Sequence, residues 1–178
     1  LASSSTSPFY GLIRRASTGR AAKADGVIAD TSLIKAIEES LTSTSGCLFP
    51  YRNIATGETD SDGICSVLVS YWTAVKNVFN DAWGKPSNQS RLMHGVGIRS
   101  MGRLMDRIMS GVNGRDTQSI ELIESELRRI SGMCRWTEGV WEDLNDLAWN
   151  ELQNVPRHVR ILSSYLIRSY IISKENSR

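Results

Sequence analysis

Residues 90–109 read SRLMHGVGIRSMGRLMDRIM, and the rest of the chain is best read outward from them. At about 100° per residue, His94, Ile98, Met101, Met105 and Ile108 share one side of a helix, with Leu104 beside them. Arg99, Arg103 and Arg107 recur every fourth residue on the other side, with Asp106 among them. Gly95 and Gly102 lie two turns apart on a flank of that polar side. The spacing predicts an amphipathic helix with a basic face, an apolar face and a notch without side chains.

Two features of this helix are costly. Each of Gly95, Gly97 and Gly102 costs about 1 kcal/mol against alanine, and a histidine on an apolar face needs partners for its ring nitrogens. Two readings account for them. In one, the glycines admit a neighbouring helix and His94 is a hydrogen-bonded core residue. In the other, Arg91, Arg99 and Arg103 flank a glycine notch that faces phosphate or nucleic acid. Backbone N–H groups inside a helix are already bonded, so in that second reading the arginines supply the attraction. Such contacts carry no sequence information and weaken with salt. The competing fate for the same arginines is pairing with acids of residues 116–151.

Upstream, Ile64, Val67, Leu68, Tyr71, Trp72, Val75, Val78 and Phe79 form the cleanest helical stripe, and they are expected to face the His94–Ile108 stripe in the core. Trp83, Gly84 and Pro86 end that helix. Before it, Asp30 is placed to cap a helix with Leu33, Ile34, Ile37 and Leu41 inward, and Asp60 or Ser61 caps the next. Downstream, Asp116 or Thr117 caps a helix carrying Ile120, Ile123, Leu127 and Ile130. Residues 133–154 hold Trp136, Trp141 and Trp149 among acids and read as one or two short helices. Tryptophans this dense cement helix junctions or, alternatively, stack bases. Pro156 opens a last helix with Val159, Leu162, Tyr165, Leu166 and Ile172 apolar, and Arg157, Arg160 and Arg168 on other sides.

The expected architecture is all-α: one domain of about five or six helices over residues 30–178, with an extended arm over residues 1–29. Pro8 to Ile13 suggest one short strand, and Arg14, Arg15, Arg20 and Lys23 a basic, solvated loop. The net charge of +2 is neutral on partners, but its distribution is not. Residues 85–115 carry six basic side chains against Asp106, and residues 116–151 carry nine acids. Cys47, Cys65 and Cys134 are too few and too scattered for a disulfide framework or zinc site, which suits a reducing cytoplasm. No apolar run approaches a membrane span, and the small, polar start lacks a secretion signal. A start at Leu1 rather than Met leads to the expectation of a longer protein.

No phosphate-binding loop, nucleophile elbow or Ser–Lys pattern is present, and the pairs Glu121/Glu124 and Glu142/Asn145, each three apart, lack the histidine a carboxylate-bridged metal site wants. No catalytic residue, metal or cofactor is therefore assigned. The order of certain motifs, however, resembles the C-terminal half of DGQHR-domain proteins: Ser7-Pro8-Phe9-Tyr10-Gly11-Leu12-Ile13, Tyr71-Trp72 with Trp83, Ser90-Arg91-Leu92-Met93-His94-Gly95-Val96-Gly97-Ile98, Met101-Gly102-Arg103-Leu104, and Trp149-Asn150-Glu151-Leu152-Gln153-Asn154. The D-G-Q-H-R segment itself is absent, so the resemblance implies the helical portion without the N-terminal sheet domain. That family includes regulators found with bacterial DNA-phosphorothioation systems. The resemblance implies a non-enzymatic, DNA-associated helical domain serving assembly, with possible DNA contact through Arg91, Arg99 and Arg103. The alternatives are a protein-interaction module binding a partner or a second copy, and part of an enzyme site, needing His94, that a missing domain completes.

Overall fold

The computed structural model describes residues 5–14, 26–112 and 119–176. Five α-helices carry the fold among them: α1 (Asp30–Thr42), α2 (Ser61–Val78), α3 (Gly95–Met109), α4 (Ser119–Ser131) and α5 (Pro156–Glu175). None is long and apolar enough to cross a membrane. Two small sheets qualify the all-α expectation. Strands β1 (Ile13–Arg14) and β2 (Ile28–Ala29) pair in parallel, and β3 (Val140–Trp141) and β4 (Leu147–Ala148) form an antiparallel hairpin.

The hairpin comes in addition to the short helices expected in residues 133–154, which form as two 3-10 turns, Glu142–Leu144 and Trp149–Glu151. Its loop turns through Asn145 and Asp146, both with positive φ (59° and 55°), and these short polar side chains tolerate the left-handed region best after glycine. Trp136 and Trp141 are buried here, edge-on to each other at 5.2 Å, and Trp141 meets Tyr165 of α5 at 5.8 Å. These two tryptophans cement a junction between the hairpin and α5 and offer no face for a base.

The N-terminal arm packs on the helices. Phe9 is wholly buried, 5.3 Å from the Trp72 ring and 5.8 Å from Trp83. The expected strand from Pro8 to Ile13 is mostly turn, because Tyr10 and Leu12 donate back to the carbonyls of Ser7 and Phe9. Only Ile13 and Arg14 extend. Arg15, Arg20 and Lys23 of the expected basic loop, and the caps Asp116 and Thr117, lie outside the described residues.

Helix pairing departs from expectation. The α2 stripe is buried as read, with Val67, Leu68, Tyr71, Trp72 and Val75 inward, and Asp60 caps it by accepting the Gly63 N–H at 2.8 Å. Yet α2 lies chiefly against α4, while α3 lies against α5 and α1. The expected α2–α3 facing reduces to contacts such as the Tyr71 hydroxyl donating to the Met101 carbonyl at 2.8 Å.

Helix α1 keeps Leu33, Ile37 and Leu41 of its expected face against the core but turns Ile34 outward. Ala29, not Asp30, holds the N-cap position, and Ser32, Leu33, Ala36 and Ser40 point inward while Ile34 is half exposed. The reason is close approach: a Cβ on Gly102 of α3 would stand 3.0 Å from the Ala36 Cβ. A seam this tight takes small side chains, so Ile34 turns outward, while Leu33 is buried and Ile37 and Leu41 pack partly buried against the core.

Candidate nucleic-acid interface

Helix α3 starts at Gly95, so the segment before it is not helical. His94 occupies the N-cap position in extended conformation, its carbonyl accepting the Ile98 N–H at 3.0 Å. It is therefore not part of the helix's apolar face, and the period-3.6 pattern had drawn it in by proximity. The ring is half-buried. Its Nδ1 is buried without a hydrogen-bond partner among the described residues, where the sequence had suggested a bonded core histidine. Burial, and then the nearby charge of Arg91, hold the imidazole below its ordinary value, so it is neutral across more of the pH scale. A cavity of about 520 Å³ opens here, lined by Arg14, Ser32, Ser87, His94 and Asn154 among others.

The glycines are explained by packing. A side chain on Gly95 would run into the Asn154 amide and the Ser32 hydroxyl. One on Gly97 would strike the backbone carbonyls of Arg91 and Leu92, and one on Gly102 would press on Ala36. The notch is filled by protein at all three positions.

The three arginines assigned from the sequence are engaged by the fold. Arg99 and Arg103 converge on Glu39 of α1, with Arg99 Nη2 2.5 Å from Oε1 and Arg103 Nε 2.8 Å from Oε2. Arg103 also donates to the Ser163 hydroxyl of α5 at 3.3 Å, so one side chain ties three helices together. Their acid partner comes from α1, not from residues 116–151 as the competing account expected. Arg91 stands apart from this pair, donating to the carbonyls of Asn150 and Ser87. Burial pushes the Glu39 carboxyl up, but the hydrogen bonds and charges of Arg103 and Arg99 outweigh it and leave the group below its ordinary value. Asp106, expected among the arginines, turns away from them. Its Oδ1 accepts the Ser40 hydroxyl at 2.5 Å and the Cys47 N–H at 3.0 Å.

Other acids are similarly occupied. Glu126 on α4 accepts the Tyr170 hydroxyl at 2.6 Å and pairs with Arg129 and Lys174, and Glu124 pairs with Arg128 and accepts from Asn77. Cys47, Cys65 and Cys134 are free; Cys65 is exposed, and burial disfavours the thiolates of the other two: Cys134 is pushed up to about 12, and Cys47 is raised further by burial and the charge of Asp106.

Outward cations also stand along α5. Arg157, Arg160 and Arg168 are exposed, and their side chains make no hydrogen bond or ion pair among the described residues. At about 100° per residue they fall, with Ser164, within an arc of roughly 80°. The sequence placed these arginines off the apolar side without recognising the shared arc. Their spacing of three, then eight, was the available signal. No sequence signal showed that no acid stands opposite them. A cleft of about 650 Å³ between α1, α3 and α5 borders this stripe, lined in part by Glu39, Arg103, Arg107 and Ile167.

No family model matches the chain, and searches of curated proteins and of solved structures likewise return no match.

Proposed function

We propose that this chain is a non-enzymatic helical domain of a bacterial DNA-associated protein, serving assembly and contacting DNA without regard to sequence. The observation that carries the reading is the segregation of charge. Glu39, Asp106, Glu124 and Glu126 are tied up by partners within and between the helices, which leaves arginines uncompensated on the outside. The resemblance of residues 7–13, 71–72, 90–104 and 149–154 to DGQHR-domain proteins supports the same assignment. Contact with DNA through Arg91, Arg99 and Arg103 would have to compete with Asn150 and Glu39, so the proposed contact rests on outward arginines instead.

A mobility-shift titration of duplex DNA tests this reading. A complex formed at about 50 mM salt that weakens steeply by about 200 mM upholds it. A chain that leaves the duplex unshifted at the lower salt, yet self-associates or captures a partner protein, is the interaction module instead.

A further inference from the structure

The outer face of α5 has features that point to a specific ligand. We infer that Arg157, Arg160 and Arg168 form a docking strip for the sugar–phosphate backbone of duplex DNA. The inference rests on the DNA-associated reading above and names the surface and the form of nucleic acid it takes.

Four observations carry it. The strip runs roughly 16 Å along the helix at about 1.5 Å per residue, long enough to meet several successive phosphates of one strand. All three cations are arginines, whose planar guanidinium presents paired donors to phosphate oxygens, and Ser164 adds a hydroxyl between them. Glu142 and Asp143 lie on the Tyr165 side of α5, and Glu175 shares the strip's arc two turns beyond Arg168; none of them pairs with the strip among the described residues. Finally, the α5 residues that could stack on a base are buried, Tyr165 at 7% and Tyr170 at 2% exposure. Single-stranded nucleic acid binds through such aromatic platforms, so a face of bare arginines fits a duplex backbone better. Insertion into a lipid surface is disfavoured for a related reason. Val159, Leu162 and Leu166 are wholly buried in the core, and of the other α5 aliphatics only Ile172 is exposed, at 49%, a single side chain rather than an apolar face for a bilayer.

The experiment measures fluorescence anisotropy of two unrelated duplexes of about 20 base pairs with the full 178-residue chain, between about 50 and 200 mM NaCl. The wild type is compared with R157A/R160A/R168A and with K35A/K76A/K85A, which removes the same charge from exposed positions elsewhere. Three phosphate contacts at about −0.9 each give a log–log salt slope near −3, a fall of roughly forty-fold in affinity over that range, equal for both duplexes. The arginine variant is expected to bind at least about ten-fold more weakly at the lower salt, with a slope near zero, while the lysine variant stays within about three-fold of wild type. Circular dichroism should show all three chains equally folded, since the substituted side chains are exposed. Wild-type binding that both variants weaken equally, or that the arginine variant leaves unchanged, overturns the strip while leaving the DNA reading standing. Absence of wild-type binding at about 50 mM salt overturns both. Tighter binding of poly-glutamate than of duplex at equal charge overturns the strip as a DNA site and assigns it to an acidic protein.

Discussion

Arg99 and Arg103 of α3 and the three outward arginines of α5 meet opposite fates. Arg99 and Arg103 fold inward onto one carboxylate, and the Arg99 side chain keeps only 13% of its exposure. Arg157, Arg160 and Arg168 face outward with no acid bonded to them among the described residues. The two helices pack against each other, so the difference does not lie in their depth in the fold. It lies in what stands opposite: α3 is pressed against α1, which carries Glu39, whereas the outer face of α5 has no helix over it. A basic stripe is thus a structural clasp or a binding surface according to a residue about sixty positions away.

Several measurements can break or sharpen that contrast. The largest effect is expected at Gly97→Ala, because the added Cβ would strike the backbone carbonyls of Arg91 and Leu92, which cannot swing aside. Urea unfolding should show a loss of about 2–3 kcal/mol, outweighing the gain in helix propensity. Gly111→Ala, whose nearest neighbour would be 3.8 Å away, should not show it. Equal stability of the two variants would mean that the start of α3 is looser than described.

Next comes Glu39→Ala. Removing the carboxylate strands Arg99, whose Nε is already buried without a partner, and frees Arg103. Because the Glu39 side chain is about one-third exposed, the loss should be about 1–2 kcal/mol, below that of a deeply buried pair. Arg168→Ala should change stability by less than about 0.5 kcal/mol. If the two variants unfold at the same denaturant concentration, the inward and outward arginines are not distinct classes.

Tyr71→Phe removes the hydroxyl donated to the Met101 carbonyl and should cost about 1 kcal/mol. Since α2 and α3 otherwise meet little, this variant reports on how far the two helices are coupled.

The smallest effects are in the pH dependence. His94 is held below its ordinary 6.5, so the unfolded chain binds a proton that the folded chain does not. Stability should therefore fall as pH drops from about 6.5, and His94→Gln should flatten this window. Glu39 has the depressed value usual for a paired carboxylate. Its contribution is present above its ordinary 4.5 and is lost as pH falls through the lower folded value. Glu39→Gln should flatten that second, more acidic window and leave the first intact. Loss of both windows in either single variant would show that the two groups titrate together.

Much of the fold was legible in the sequence because it is written in local periodicity. The α2 stripe, the Asp60 cap and the Pro156 start of α5 follow from how apolar and capping residues recur within one helix. That the chain is mostly helical belongs to the same class of information. The hairpin at residues 140–148 was not legible, because strands two residues long have no period to detect. The burial of Ser32, Ala36 and Ser40 in place of Ile34 was hidden as well. It depends on Gly102, far along the chain, bringing α3 close enough to exclude larger side chains.

The candidate site divides in the same way. By itself the sequence determined that arginines recur along two helices and that glycines thin one of them. Tertiary structure alone decided that Glu39 closes over Arg99 and Arg103, that the Asn150 carbonyl takes Arg91, and that Arg157, Arg160 and Arg168 are left without an acid. The physical reason is the range of the interactions. Helical spacing is fixed by bonds four residues apart, whereas the fate of a charge depends on which group of opposite sign the packing brings within a few ångströms.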